Sequence, residues 1–247
     1  VLPAPLLPEL SKLLARLPVQ DDADVLRKSL FHAGTHFNPD LLTSEAERRA
    51  RLEGVHAALD RAESLVFLDT ESTGGRNGRL IEVGLVEMDV EQNITGGLHF
   101  RCNPHRRSQA RARRVHGIQD CELEHCPEFA ARADELLEAV RGKTVVIHDR
   151  TMDLLWLNRE LQATRPGAPR FEDCCTVIDS FVLARAVPSE RRRNGLDALL
   201  EWYGLGARGG HHDAYGDAAL LSRVFFELWW DLSLIHISEP TRRSYIS

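Results

Sequence analysis

The sequence has no apolar run that approaches the ~20 residues of a membrane-spanning helix. It also lacks a basic excess, because 31 lysines and arginines stand against 37 acidic residues and the formal net charge is −6. The overall charge therefore gives no sign of nucleic-acid binding, and local basic patches or metal ions would have to hold such a partner. Cysteines are few, five in 247 residues. Their odd number and their scatter argue against a disulfide framework and predict reduced thiols in a cytoplasmic protein.

The two ends of the chain differ from its middle. Residues 1–62 carry leucines at helical spacing and a capping box of Ser44 and Glu47, which predicts an N-terminal helical extension. Residues 232–247 do not continue the pattern before them, and they begin with a stretch that resembles the translation of a sequencing-library adaptor. We therefore expect a non-native tail there. Residues 63–231 remain as the main domain.

The main domain alternates between strand-like and helix-like patterns. Three β-rich segments come first, separated by short turns: LVFLD, RLIEVGLVEMDV and GGLHFRCNP. Helical patterns then alternate with two further short strands, TVVIH and CTVID. Strands joined by tight turns and then strands separated by helices predict an α/β domain. Its central sheet is expected to be mixed and five-stranded, with helices on its faces.

Acidic residues stand where several of these predicted elements end or begin. Asp69 and Glu71 lie at the end of the first strand, and their i, i+2 spacing points both side chains to the same side. Asp153 follows the strand TVVIH at the start of a helix, and Asp217 lies in the first turns of the last helix. Sheets of this class bind ligands beyond the carboxyl ends of their strands, so we expect the four carboxylates to converge there.

Clustered carboxylates repel one another unless cations lie among them. Divalent cations that prefer oxygen ligands, Mg²⁺ or Mn²⁺, suit such a cluster. Two such ions about 4 Å apart can activate a water and stabilise the leaving oxygen of a phosphodiester. Bound cations would also let an acidic protein hold a polyanion. The alternative is that these acids are scattered over the surface.

A histidine pair precedes the last of these acids. His212 stands five residues before Asp217, which on a regular helix is a rotation of about 140°. Both residues can therefore face one site only if His212 lies in the loop before the helix, and the glycine-rich sequence GARGGHHD favours such a loop. An imidazole there can accept a proton from an attacking water near neutral pH. On spacing alone, His211 remains a rival.

Several segments together resemble a known family. FLDTESTG, RLIEVGLVEM, VHGI, VVIHDRTMDLLWLNREL, GLDALL and HDAYGDA resemble, in this order, the DnaQ-like 3′–5′ exonucleases of the DEDDh type. Within that family the sequence is most similar to proofreading epsilon subunits of bacterial DNA polymerase III. The resemblance covers residues 64–230 and implies a ribonuclease H-like fold with two bound divalent cations, Mg²⁺ or Mn²⁺.

The resemblance also implies a role for each site residue. Asp69 would bind both cations, and Glu71 and Asp217 would complete the more buried metal site. Asp153 would hold the second cation, directly or through water. His212 would be the general base, because the family places its histidine five residues before the last aspartate. Three further residues match positions that contact the terminal nucleotide: Ser72, Thr73 and His116.

Two departures from the family pattern stand near the site. Ser72 replaces a second threonine, which is a mild change, and Asp149 stands where relatives often have asparagine. The extra carboxylate is expected to weaken substrate contacts or to change metal affinity. The segment before VHGI, residues 105–114, is strongly basic. It either follows a nucleic-acid backbone or forms a solvated loop, and the sequence leaves both interpretations open.

These features predict a metal-dependent 3′–5′ exonuclease that releases nucleoside 5′-monophosphates from single-stranded DNA 3′ ends. Proofreading or repair with a DNA polymerase subunit as partner is the expected setting, without a membrane. A 3′–5′ exoribonuclease that trims short RNAs would share the fold and the acids. A catalytically silent scaffold that binds a polymerase is the third hypothesis, and the complete set of five site residues argues against it.

Overall fold

The computed structural model describes residues 53–55, 57–59, 61–89, 91–187, 191 and 193–238. The chain divides into two units, Val1–Ala57 and Ala58–Ser247. The predicted N-terminal helical extension lies almost entirely outside the described residues. The fold and the site therefore concern the described part of the second unit.

Five strands form one mixed sheet in the order β3-β2-β1-β4-β5. The central strand β1 (Ser64–Ser72) is antiparallel to β2 (Leu80–Asp89) and parallel to β4 (Thr144–Ile147). On the outer sides, β2 pairs antiparallel with β3 (Ile94–Arg101), and β4 pairs parallel with β5 (Thr176–Asp179). This sheet confirms the predicted α/β class and the five-stranded mixed topology.

Helices connect the strands and cover the sheet. A single 3₁₀ turn spans Phe129–Ala131. The α-helices that follow β3 are α1 (Ala110–His116), α2 (Asp120–Leu123), α3 (Ala133–Val140), α4 (Arg150–Thr164), α5 (Phe171–Cys174), α6 (Ser180–Ala186), α7 (Leu196–Trp202) and α8 (Ala214–Ser238).

The central strand is apolar because helices cover both of its faces. Phe67 is fully buried, and its ring centroid lies 5.6 Å from that of Phe225 on α8. The neighbouring side chain of Leu68 points the other way and packs in one core cluster with Leu157 and Leu161 of α4. A strand buried on both faces reads as a continuous apolar run, which is what the segment LVFL shows.

A glycine allows the last helix to lie directly on the sheet. A Cβ atom at Gly84 would stand 2.1 Å from the carbonyl carbon of Ala214 and 2.1 Å from the amide nitrogen of Tyr215. The buried carboxylate of Glu82 accepts a hydrogen bond from the Ala214 N–H at 3.1 Å, where the helix dipole favours a negative charge. Since Gly84 pairs with Asp69 across β1 and β2, the first turn of α8 is held beside Asp69.

An ion pair between a partly exposed arginine and a buried glutamate fixes α4 against the start of β2. Glu160 is buried, and it accepts hydrogen bonds from Nε and Nη2 of Arg79 at 2.5 and 2.8 Å. Trp156 donates from its indole nitrogen to the carbonyl of Gly75 at 3.0 Å. Glu160 lies seven residues after Asp153, which places both on the same side of the helix. These contacts therefore fix the height and rotation at which α4 presents Asp153.

The last helix continues beyond the predicted domain boundary. It runs without interruption through residue 231, and Leu232 is buried. The division into 63–231 and 232–247 stays a prediction. None of the described helices combines the length and the apolar content that crossing a bilayer demands.

Candidate active site

A cavity of about 430 Å³ opens at the carboxyl end of β1. Its walls come from strands and helices that are far apart in sequence. Asp69 of β1 and Asp217 of α8 line it, together with His212 and Arg208 from the loop between α7 and α8. Asp69, the first residue of the predicted acid pair, and Asp217, in the first turn of the last helix, therefore line the same cavity.

Three predicted site residues lie within reach of one ion. His212 Nδ1 is 3.8 Å from Oε1 of Glu71 and 3.4 Å from Oδ2 of Asp217. One ligand atom from each of the three lies within 4.8 Å of the other two. His212 precedes α8, and its N–H donates to the carbonyl of Val115 at 2.9 Å. The loop position that the five-residue spacing requires is therefore present.

Asp153, in the first turn of α4, lies near enough to Asp69 for its negative charge to raise the pKa of that residue. The side chain of Asp153 is buried, and the hydroxyl of Thr70 donates to Oδ1 of Asp153 at 2.5 Å. Burial raises the pKa of Asp153 to about 7, although the hydrogen bond from Thr70 acts in the opposite direction. Asp149 stands at the N-cap position of this helix with a φ of 58°, and its side chain makes no capping hydrogen bond. Aspartate is one of the residues that tolerate this left-handed conformation.

The buried carboxylates hold their protons more tightly than free acids do. Burial raises the pKa of Asp69 well above its usual value, and the negative charges of Asp153 and Glu71 add to the effect. Burial and the charge of Asp217 raise the pKa of Glu71 to about 8. Burial also raises the pKa of Asp217 to about 6, against the opposing charge of Arg208. Full ionisation of this cluster near neutral pH therefore requires added positive charge.

One cation inside the protein already contacts the cluster. Nη1 of Arg208 donates to Oδ2 of Asp217, and its Nε donates to Oδ1 of Asp197 at 2.9 Å. Asp197 lies in the first turn of α7. No motif in the sequence indicated Arg208, which stands between glycines in an irregular loop. Thr70 was missed as well, because strand alternation points it away from the side of Asp69 and Glu71.

The donor atoms fit a divalent cation. Carboxylate oxygens suit Mg²⁺ or Mn²⁺, and burial together with the neighbouring negative charges raises the pKa of Glu71, which a bound cation would oppose. Burial, and then the charges of the neighbouring carboxylates, raise the pKa of Asp69 as well. The residues that would hold such ions are Asp69, Glu71, Asp153 and Asp217.

A second group of possible ligands has structural partners instead. Glu82, His99 and Asp213 also bring ligand atoms within 4.8 Å of one another. However, Arg101 donates from Nε to Oε1 of Glu82 at 2.7 Å, and the N–H of Gly216 donates to Oδ1 of Asp213 at 2.7 Å. Arg101 supplies Glu82 with the positive charge that a metal ion would otherwise bring. We therefore assign this group to the packing of α8 on β2.

Two of the predicted substrate-binding residues stabilise the turn after β1. Ser72 and Thr73 are buried. The Ser72 hydroxyl accepts a hydrogen bond from the N–H of Gly74 at 3.2 Å, and the Thr73 hydroxyl accepts one from the N–H of Arg79 at 2.9 Å. These contacts shape the loop beside Glu71, and the role of both residues in substrate binding stays a prediction.

His116, the third predicted substrate-binding residue, has a ring N–H without a hydrogen-bond partner among the described residues. His116, at the end of α1, accepts a hydrogen bond on Nδ1 from the N–H of Ile118 at 3.0 Å, so its other ring nitrogen carries the proton. That Nε2 is buried and has no hydrogen-bond partner among the described residues. Burial lowers the pKa of His116, which keeps the ring neutral. Its role in substrate binding also stays a prediction.

Comparison with known families identifies the class of protein to which this fold and this acidic cluster belong. A family model described as Exonuclease (RNase_T) matches residues 66–225. The chain belongs to this exonuclease family. This membership confirms the predicted enzyme class, a 3′–5′ exonuclease, and the resemblance found in the sequence.

Individual relatives show which members of the family this chain is similar to. DNA polymerase III subunit epsilon of Rickettsia conorii is 36% identical over 168 residues, which cover 66% of this chain and 72% of the relative. The subunit of the same name from Escherichia coli strain K12 is 33% identical over 172 residues, which cover 66% of this chain and 70% of the relative. The chain is therefore similar to curated epsilon subunits over most of their length.

Solved structures share the fold at lower identity. Exonuclease I of E. coli in complex with a dT13 oligonucleotide superposes with a TM-score of 0.59 at 18% identity, over 71% of this chain and 43% of that chain. A 3′-exonuclease that recognises a histone mRNA stem-loop gives 0.57 at 16% identity, over 69% of this chain and 83% of that chain. At these identities the similarity shows the fold alone.

Proposed function

We propose that this protein is a divalent-metal-dependent exonuclease that removes nucleoside 5′-monophosphates from the 3′ ends of single-stranded DNA. The observation that carries the proposal is the meeting of Glu71, His212 and Asp217 within 4.8 Å beside two further acids, Asp69 and Asp153. A proofreading or repair role in the cytoplasm, with a DNA polymerase subunit as partner, follows from the similarity to epsilon subunits.

The four carboxylates would hold the cations and orient them toward the scissile phosphate. Two divalent cations bound there would make water more acidic and would stabilise the charge on the leaving 3′-oxygen. The protein would contribute by holding the carboxylates in place before the substrate binds. Thr70 holds Asp153, and the close packing of α8 on Gly84 holds Asp217.

His212 would accept the proton of the attacking water. Its side chain is about one-third exposed, so water can reach the ring. Burial lowers the pKa of His212, and the charge of Arg208 lowers it further, so the neutral imidazole is present at neutral pH. A neutral imidazole within 4 Å of Glu71 and Asp217 is suited to accept a proton from a water molecule that attacks beside these carboxylates.

The nature of the nucleic acid is part of the proposal. The relatives named DNA polymerase III subunit epsilon favour DNA. One solved structure of the same fold holds a dT13 oligonucleotide, and another recognises a histone mRNA stem-loop, so the fold serves both nucleic acids in those proteins. An exoribonuclease is therefore the second candidate.

The test is a digestion assay on matched DNA and RNA oligonucleotides labelled at the 5′ end. Protein stripped with EDTA should be inactive, and added Mg²⁺ or Mn²⁺ should restore stepwise shortening from the 3′ end, faster on DNA. Faster digestion of RNA would establish the exoribonuclease instead. Protein that binds the oligonucleotides but shortens neither in the presence of metal would be the silent scaffold.

A further inference from the structure

A strongly basic segment lies beside the candidate site of this acidic protein. Residues 105–114, which we call the basic arm, include five arginines and no acidic residue, although the whole chain carries a net charge of −6. The second half of the arm forms α1, which ends at His116 and is closed by Gly117 in the left-handed conformation. The arm is therefore partly helical and not the simple solvated loop that the sequence left open.

Both ends of α1 are fixed to segments that carry site residues. At its start, the N–H of Gln109 donates to the carbonyl of Thr73 at 2.8 Å, two residues after Glu71. At its end, the carbonyl of Val115 accepts the N–H of His212 at 2.9 Å. The helix thus spans from the end of β1 to the loop that holds His212, and its position relative to the cavity is set by backbone hydrogen bonds.

The arginines of the arm differ in what they contact. Arg113 pairs with Asp120 at 3.3 Å, and Arg106 donates to the carbonyl of Asn77 at 2.9 Å. Arg111 and Arg114 are exposed, and neither makes an ion pair within the part of the chain that the structure describes. Their i, i+3 spacing places the two guanidinium groups on neighbouring positions of one helix surface. Helix α1 therefore carries two exposed arginines, Arg111 and Arg114, whose guanidinium groups are accessible to a ligand from solvent.

We propose that Arg111 and Arg114 bind backbone phosphates of the nucleic-acid strand on the 5′ side of the scissile bond. The inference rests on the proposed function, because a strand whose 3′ end lies at the site would pass close to a helix that is hydrogen-bonded to both segments carrying site residues. Guanidinium groups bind phosphate oxygens through two parallel hydrogen bonds. Their positive charge offsets the repulsion between a polyanion and a protein of net negative charge. Contacts from Arg111 and Arg114 to phosphates would add affinity for long strands and would be independent of base sequence.

The experiment compares a long and a minimal substrate. The double variant Arg111→Gln/Arg114→Gln keeps good helix formers at both positions. The matched control Arg141→Gln/Arg165→Gln removes the same charge from two exposed arginines next to α3 and α4. The substrates are a single strand of about 12 nucleotides, which is long enough to cover one small binding domain, and the p-nitrophenyl ester of thymidine 5′-monophosphate, which has no upstream phosphates. Binding of the long strand is measured separately by fluorescence anisotropy in EDTA over a range of salt concentrations.

The arm variant should raise KM on the long strand by about tenfold or more, with kcat retained. It should lose far less kcat/KM on the ester than on the strand. Two lost phosphate contacts should also reduce the slope of log affinity against log salt by about 1.4. The control variant should keep the KM and the salt slope of the wild type.

An unchanged KM and an unchanged salt slope in the arm variant would overturn the inference. A parallel loss on both substrates would also overturn it, since that result means a disturbed site. Failure of the proposed function looks different, because the wild-type protein with Mg²⁺ or Mn²⁺ would then cleave neither substrate. The anisotropy measurement needs no turnover and would still decide whether the arm binds a strand.

Discussion

Arg208 donates from Nη1 to Oδ2 of Asp217, the carboxylate oxygen that also lies 3.4 Å from Nδ1 of His212. An internal cation thus contacts a carboxylate for which we propose a role in metal binding. One guanidinium cannot neutralise four carboxylates, and despite its charge, burial and the negative charge of Asp217 raise the pKa of Glu71 to about 8. The arginine and a bound divalent ion would therefore compete for the same negative charge.

Replacement of Arg208 should separate these two sources of positive charge. In Arg208→Gln, affinity for Mn²⁺ should rise by about tenfold or more, because a charge a few ångströms from the ion no longer repels it. The metal-free variant should melt at a lower temperature than the metal-free wild type, since Asp217 loses its partner. Calorimetric titration with Mn²⁺ and melting curves in EDTA measure the two effects.

Arg208→Lys and Arg141→Gln are the controls for that experiment. The lysine keeps the charge and should behave more like the wild type. Arg141 is exposed and pairs with Glu138, and it does not line the cavity. Arg141→Gln therefore removes a charge outside the site and should leave Mn²⁺ affinity unchanged. If Arg208→Gln binds Mn²⁺ no more tightly than the wild type, the arginine does not compete with the ion.

Stability of the metal-free protein should fall as pH rises near neutrality. Burial raises the pKa of Glu71 to about 8 and of Asp153 to about 7, so the folded protein keeps protons that the unfolded chain has released. The stabilisation from these protons is complete below the unfolded pKa values and is lost as pH rises through the folded ones. Buried histidines with lowered pKa values oppose this trend only below about pH 6.5. The clear window is therefore about pH 6.5 to 8.5.

Melting curves in EDTA across that window test this expectation. The melting temperature should decrease with pH in EDTA, and saturating Mg²⁺ should remove most of the decrease by supplying the missing positive charge. Glu71→Gln, which carries no titrating proton, should show a flatter profile in EDTA. A flat wild-type profile in EDTA would mean that these carboxyls do not carry protons in the folded protein.

The sequence predicted the acids of the site because local rules place them. The continuous apolar run before Asp69 indicates a buried strand, and the i, i+2 spacing to Glu71 follows from strand geometry. The rotation of about 140° over five residues required His212 to leave the helix, and the structure places it in the preceding loop. Each of these inferences depends on residues that are neighbours in sequence.

The features that the sequence did not predict depend on contacts between distant residues. The contact between Arg208 and Asp217 depends on how an irregular glycine-rich loop folds over the cavity. Helix α1 has little apolar periodicity, and hydrogen bonds to Thr73 and His212 at its two ends hold it in place. Local sequence patterns do not predict contacts between residues that are distant in sequence.

The two adjacent histidines allow a direct test of which one takes the proton. His212→Gln should reduce the exonuclease rate by about 10² or more, because a general base contributes on that order. It should leave the rise in melting temperature on Mn²⁺ binding nearly unchanged if His212 is a base and not a ligand. His211→Gln changes an exposed neighbour whose ring does not belong to the group of ligand atoms, and it should retain most of the rate.

Rates and metal-induced melting shifts for both variants complete that test. Loss of the Mn²⁺ shift in His212→Gln would make the imidazole a ligand, as its position near Glu71 and Asp217 also permits. A slow His211→Gln beside a fast His212→Gln would reverse the assignment of the base.

Gly84 provides a test of how the fold positions the site. In Gly84→Ala, the new methyl group would stand 2.1 Å from backbone atoms of Ala214 and Tyr215, so the first turn of α8 must move away from β2. Overpacking of this kind destabilises proteins by about 1–3 kcal/mol, and sometimes by more. Because Asp217 lies in that turn, Mn²⁺ affinity and exonuclease rate should both fall in the fraction that remains folded.

Gly209→Ala is the matched control, since a methyl group there would meet no atom within 4 Å. Chemical denaturation, Mn²⁺ titration and the digestion assay on both variants measure these effects. A Gly84→Ala protein with wild-type stability and wild-type Mn²⁺ affinity would show that close contact of α8 with β2 is not what holds Asp217 in the site.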